Sequence, residues 1–368
     1  MKVICTQENL SKGLQLVSHV ASKNVSLPIL SNVLLRAERG GLTLQTTNLE
    51  LGVTCVVRGK VEQEGSFTVQ GKTLNDYINL LPNENVTLEL AEQNLKIGCR
   101  DSKTVMKGVD ATEFPLIPEV EAKYTHGIDA QILKEALDSV AFAVAFDETR
   151  PEISGIYFDF SKNTLTVVAT DSYRLAEKKV EVKNTSGIDA YHIIVPIKTV
   201  QELIRVLGEE SGPVEIQSNE NQVRFSLNGV NLTSRVIEGQ YPDYEQIIPR
   251  EHQTQATVGT REFTNTIRRA SLFCKPGGND IVLAFSPAKS EILVSATNLQ
   301  VGESEARQEA SIKGGENSII FNYRFLLDGL QNIKSSEVIL ELNTNATPGL
   351  LKPKSGGDYT YIIMPIKQ

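Results

Sequence analysis

The sequence predicts an α+β fold of three tandem similar domains, each of two helices packed on antiparallel sheet. Three observations carry that expectation. A strand–break–helix segment is written three times at one interval, alternating apolar strands end at a repeated Thr-Asn or Thr-Asp, and an amphipathic helix precedes each block. The interval is of domain size, far longer than the roughly 20–50 residues of solenoid repeats.

The first repeated segment is FTVQGKTLNDYINLL (67–81), followed by IIVPIKTVQELIRVL (193–207) and IIFNYRFLLDGL (319–330). Val69, Val195 and Phe321 stand 126 residues apart, and each strand runs into a helix with apolar residues at i, i+3, i+4 and i+7, such as Val200, Leu203, Ile204 and Leu207. Gly71-Lys72-Thr73 looks like the end of a phosphate-binding loop. That loop needs a glycine where Ser66 stands; Gly65 is one residue early, and the other two copies lack Gly71 itself. The segment reads as a structural join, and no nucleotide site follows from it.

The strands LTLQTTNLEL (42–51), LTVVATDSYRL (165–175) and ILVSATNLQVGE (292–303) recur next, and Thr47, Thr170 and Thr297 keep nearly the same interval. The helices ENLSKGLQLVSHVAS, AQILKEALDSVAFAV and REFTNTIRRASLFCK precede them. The central one carries Leu133, Ala136, Leu137, Val140, Ala141 and Val144 on one face. Alternation on both sides of Asn228-Gly229 in QVRFSLNGVNLTSRVI predicts a hairpin. EFPLIP (113–118) matches QYPDYEQIIP (240–249), with Pro115 and Pro242 one repeat apart, and such segments read as linkers. The expected domains are 1–122, 123–250 and 251–368.

With 368 residues the chain exceeds one ordinary core, and 40% hydrophobic with 22% charged is globular composition. The start MKVICTQENLSKGL lacks the apolar stretch of a signal peptide, and the run Val140–Phe146 is too short to span a membrane. Cys5, Cys55, Cys99 and Cys274 form no CxxC pair, so reduced thiols in a cytoplasmic protein are expected. Asn-x-Ser/Thr triplets such as Asn24-Val25-Ser26 carry little meaning without secretion. His19, His126, His192 and His252 show no ligand-like spacing, and there is no GxSxG elbow. Asp171 stands where the other copies have asparagine, which suits a turn better than catalysis. No metal, cofactor or enzymatic activity is expected. The formal charge of −8 argues against a uniformly basic DNA-coating surface, though not against a basic face on one side.

ATDSYRLAEKK (169–179), YPDYEQIIP (241–249) and YIIMPIKQ (361–368) closely resemble the bacterial DNA polymerase III beta subunit family, the sliding clamps. The resemblance covers the whole chain: three copies, their order and the final motif. It implies a DNA clamp fold in which two chains close head-to-tail into a ring of six domains, helices facing the hole and sheets forming the wall. It implies a non-catalytic processivity factor that encircles double-stranded DNA. Its partners would be the polymerase III alpha subunit, a clamp loader, translesion polymerases and mismatch-repair proteins, held through short linear motifs. The carried-over peptide groove comprises Ile153, Thr170, Ser172, Tyr173, Arg174, Leu175, Pro242, Ile247, Pro348, Ile362, Met364, Pro365 and Ile366. There Met repacks around varied guests and Arg174 would fix a polar group of the guest. Ile363 reads as strand core. Tyr173 and Pro348 depart from a histidine and a serine found in the family.

DNA contacts are expected from Lys72, Arg150, Lys198, Arg205, Arg268 and Arg269, with Lys12, Lys275, Arg324 and Lys334 as further helix-borne candidates. Any one alone reads better as a solvated helix face, and the set together reads as a DNA-facing surface. Asn24 stands where the family can have an arginine. Across the subunit boundary Thr104 and Met106 would meet Ser271 and Leu272. The competing expectation is a monomeric repeated-domain peptide-binding module that does not encircle DNA.

Overall fold

The structure, a computed structural model, describes residues 1–21, 27–146, 149–187, 190–275 and 277–367. Asn24 and its triplet fall outside them. Six helices are present among the described residues, two per repeat: α1 Gln7–Ser18, α2 Gly71–Asn79, α3 Ala130–Ala141, α4 Ile197–Glu209, α5 Thr260–Ser271 and α6 Tyr323–Asn332. Gly71 is simply the first residue of α2, directly after the strand Gly65–Gln70, and the same join precedes α4 and α6. The first helix of each repeat is shorter than its apolar pattern. After α1, α3 and α5 the chain tightens into i→i−3 bonds, as from Val20 N–H to Val17 O, Ala143 to Val140 and Phe273 to Ala270. Such turns satisfy orphan carbonyls at a helix end while still burying apolar side chains. Val144 is thus buried without being helical.

Each helix is held by the face its spacing predicts: Leu10, Leu14 and Val17 on α1, Leu133, Leu137 and Val140 on α3, Phe263, Ile267 and Ala270 on α5 are all buried. Asn228 and Gly229 both take positive φ, the geometry of a tight two-residue hairpin.

The chain divides into two compact units, residues 1–134, 183–188 and 198–236 in one, 135–182, 189–197 and 237–368 in the other. Each unit combines one outer repeat with part of the central repeat. Six strands bear on the seams between repeats and on their unpaired counterparts: β1 Leu51–Val57, β2 Ser102–Val109, β3 Arg174–Glu181, β4 Val230–Arg235, β5 Gly302–Glu309 and β6 Tyr359–Ile363. In the first unit a 14-stranded sheet runs across the repeat boundary because β1 pairs antiparallel with β4, Leu232 opposite Val53. In the second unit a nine-stranded sheet does the same through β3 and β6, Ala176 opposite Tyr361. Strands that would be sheet edges within a single repeat are thereby covered. The second unit also holds a four-stranded sheet with β5 at its edge.

Candidate functional site

The loop before β3 is shaped by its own side chains. Thr170 Oγ1 donates to the Arg174 carbonyl at 2.7 Å and accepts from Ser172 N–H at 3.1 Å, while Asp171 Oδ1 accepts from the Tyr173 and Arg174 N–H groups, both at 2.9 Å. Ser172 is left at φ 75°. Asp171 is therefore a turn former, as its sequence position suggests. The first repeat builds the same loop: Thr47 Oγ1 donates to Leu51 O at 3.0 Å, Asn48 Oδ1 accepts from Leu51 N–H at 2.8 Å, and Leu49 stands at φ 79°.

Successive residues of a strand face opposite sides of its sheet. Tyr361 turns towards the helices, its hydroxyl donating to Phe325 O on α6 at 2.9 Å. Ile362 consequently faces the other side, in a cluster with Ile153, Val168, Leu175, Tyr241 and Tyr244. Tyr157 stacks on Tyr241 with ring centroids 4.6 Å apart. Above this floor opens a groove of about 130 Å³ lined by Arg150, Thr170, Ser172, Arg174, Leu175, Pro242, Asp243, Tyr244, Ile247, Ile362 and Met364. Met364 is docked by its N–H on the Tyr173 carbonyl at 2.8 Å, and Ile366 by its N–H on Ile320 O at 2.8 Å. Burial, reinforced by Glu177, pushes the Tyr244 phenol well above its ordinary range, and burial does the same to Tyr241. The tyrosines of this wall stay neutral, and the floor accepts apolar side chains.

The structure thus brings together nine of the expected groove positions, Ile153 as floor and eight as lining. Tyr173 is exposed at the turn tip, Pro365 and Ile366 follow Met364, and Pro348 lies in the loop before Gly349–Pro353, whose Gly349 pairs with Ile363. Ile363 is buried strand core. The Arg174 guanidinium donates to Asp171 Oδ2 at 2.9 Å, to Phe142 O at 2.9 Å and to Asp328 Oδ2, and lies over the Phe325 ring at 4.7 Å. Burial alone would lower its pKa, but Tyr361, Asp328 and Asp171 more than offset that and hold the charge. Arg174 braces the groove wall from behind through one N–H of each of its three nitrogens. Arg150, expected on DNA, stands at the groove rim, donating to Ser172 Oγ at 2.8 Å and to Glu152 at 3.1 Å, and it remains exposed.

Of the other basic candidates, Lys72, Lys198, Arg268, Arg269, Lys275 and Arg324 are exposed. Arg205 already has partners. It pairs with the buried Glu202 and donates to Leu16 O at the end of α1 at 2.6 Å. This repeats the Arg174 arrangement, since Leu16 and Phe142, like Glu202 and Asp328, stand 126 residues apart. Each seam is tied by one guanidinium between a helix-end carbonyl and an acid. Lys12 is paired with Glu210 at 2.6 Å and Lys334 with Glu135 at 3.5 Å. Thr104 and Met106 are half-buried on β2, Ser271 is half-buried and Leu272 exposed.

A larger cavity of about 600 Å³ lies under residues 111–119 in the first unit, but Arg36, Arg224, Gln45 and several hydroxyls make its lining far more polar than that of the groove. No cluster of three metal-ligating side chains occurs among the described residues, and no helix of theirs is long and apolar enough to cross a membrane.

Repeated α+β units, stitched sheet to sheet and carrying an apolar groove at one seam, define a clamp-type architecture. Family models for the DNA polymerase III beta subunit match the N-terminal domain over 1–118, the central domain over 127–243 and the C-terminal domain over 245–367. The beta sliding clamp of Synechococcus elongatus is 30% identical over 372 residues, covering 100% of this chain and 99% of that protein. That of Staphylococcus aureus is 30% identical and covers 94% of each. The solved sliding clamps of Pseudomonas aeruginosa (28% identity, TM-score 0.93, 100% of both chains) and Bacillus subtilis (27%, TM-score 0.94, 100% of this chain and 99% of that one) superpose throughout. The chain belongs to the DNA polymerase III beta subunit family. Its function is that of a DNA sliding clamp, a non-catalytic processivity factor working with DNA polymerase III.

Proposed function

We propose that two copies close head-to-tail into a ring around duplex DNA, and that the groove beside β3 and β6 holds short linear peptides of polymerases, the clamp loader and repair proteins. The observation that carries the ring is the seam pattern. The strand after the Thr-Asn/Asp turn pairs with the last strand of the next repeat at both internal seams, β1 with β4 and β3 with β6. The third such strand, β5, ends its sheet. Among the described residues β2 has no partner along 102–107 on the side away from its neighbour Asn94–Cys99. Val105 on β2 is 58% exposed and Leu299 before β5 is 93% exposed, whereas Ile362, the repeat-equivalent of Val105, is 0% exposed. Pairing β5 with β2 of a second copy would cover both edges and give a heterologous contact that closes. Carrying the β1–β4 register over sets Lys103 opposite Glu305 and Thr104 opposite Ser304. Thr104 and Met106 then face the helix side, towards Ser271 and Leu272 of the second copy.

The exposed cations Lys72, Lys198, Arg268 and Arg269 form a weak, non-specific set for DNA phosphates, while the acidic remainder keeps other surfaces free of DNA. Domain limits at 122 and 250 and a cytoplasmic location fit this reading. Sedimentation tests it: one chain is 40.5 kDa, and a ring of two weighs twice that. A species of the doubled mass, retained on circular but not on linearised DNA, is expected. A monomer at high concentration would leave a peptide-binding module without encirclement.

A further inference from the structure

We propose a second site, for a phosphate group, in a cavity of about 140 Å³ within the second unit, between α3, the segment after α6, and β6. Two groups in its lining have no protein partner among the described residues. The Tyr359 hydroxyl is enclosed without a hydrogen-bonding atom in reach. Lys178 sits opposite Tyr359 in the β3–β6 register, half-buried, and makes no ion pair. At the rim Lys334 adds a second ammonium, already pairing with Glu135 at 3.5 Å. Ser139 on α3 also lines the cavity.

The loop beside the cavity is cut to fit this arrangement. Gly356 and Gly357 take φ 95° and 88°, and a Cβ on Gly357 would lie 2.7 Å from Lys178 Nζ, so a side chain there would displace the ammonium. A phenol O–H and an ammonium both donate. What satisfies both, and the charge of the second, is an acceptor with negative charge. Water would satisfy the hydroxyl but would leave the half-buried ammonium uncompensated. A tetrahedral phosphate group supplies several acceptor oxygens and fits the volume. It comes either as free phosphate or as a backbone phosphate of DNA. The second source rests on the ring reading above and the first does not.

The full-length chain is melted in sodium phosphate and in sodium chloride at equal ionic strength, and its affinity for a duplex oligonucleotide is followed against salt. Tyr359→Phe removes only the orphan hydroxyl, so this variant should be at least as stable as the wild type in chloride. In phosphate the wild type should gain thermal stability, and Tyr359→Phe and Lys178→Met should each lose affinity by about tenfold or more. If the source is DNA alone, free phosphate has no effect, while Lys178→Met lowers the slope of log K against log salt by about one. Three results overturn the site: a wild type that responds to neither ligand, variants that respond as the wild type does, or a Tyr359→Phe chain less stable than the wild type in chloride.

Discussion

Arg174 and Arg150 stand on one groove and have opposite duties. Arg174 is tied to two carboxylates and a carbonyl, so Arg174→Ala leaves part-buried acceptors without a donor, and urea unfolding should show a loss of about 1–2 kcal/mol. Arg150→Ala breaks an exposed contact, should change stability by less than about 0.5 kcal/mol, and should weaken a fluorescent partner peptide in an anisotropy titration. The sequence reveals the type of each arginine but not which acceptor it meets. The hidden signal was the spacing of Glu202 and Asp328, two acids at one repeat position, each holding an arginine. Burial also raises the Cys5 and Cys55 thiols from 9.0 to about 11. In the unfolded chain they ionise near their ordinary pKa, so the neutral folded thiols contribute stability fully below pH 9 and lose it as pH rises towards 11. The loss is roughly 2 kcal/mol per thiol by pH 11. Denaturation midpoints should fall over that window, and iodoacetamide at pH 8 should label both thiols far more slowly in the native chain than in urea.

Helices and strands were the most legible level, because period 3.6 and period 2 are imposed by which faces are buried. Helix ends were less so. In SVAFAV the apolar pattern outlasts the hydrogen-bonded helix, and a tightened turn buries Val144 just as a helix would. One element contact inverts a propensity rule. In α6, replacing Gly329 with alanine should favour the helix by about 1 kcal/mol. The new Cβ would, however, meet the Tyr361 ring at 2.3 Å, and that ring is held in β6 by sheet pairing and by its hydroxyl on Phe325 O. Overpacking of about 1–3 kcal/mol therefore wins, and Gly329→Ala should melt lower than the wild type.

At the scale of the whole molecule the triplication was readable, since turn chemistry demands Thr-Asn or Thr-Asp wherever the loop is rebuilt. The seams were foreseen only through the family resemblance. Alternation says which face of a strand is apolar and nothing about which strand lies beside it. If the third seam repeats the other two across copies, Lys103→Glu should shift the two-chain species towards 40.5 kDa at micromolar concentration. Adding Glu305→Lys should restore it, a rescue that mere loss of folding would not give.

The seam inside the second unit also sets a timetable for synthesis. β1 and β4 are both complete once Arg235 has been added, but β3 begins at Arg174 and its partner β6 only at Tyr359. At about 5–20 residues per second on the ribosome, β3 waits roughly 10–40 s with one edge open and the apolar cluster behind it uncovered. That strand, like β1 in its equally long wait for β4, is a place where a nascent chain would mispair or recruit a chaperone. Ribosome-bound fragments stopped before Tyr359 should therefore be protease-sensitive around 174–181, while the strands of β1 and β4 are already protected.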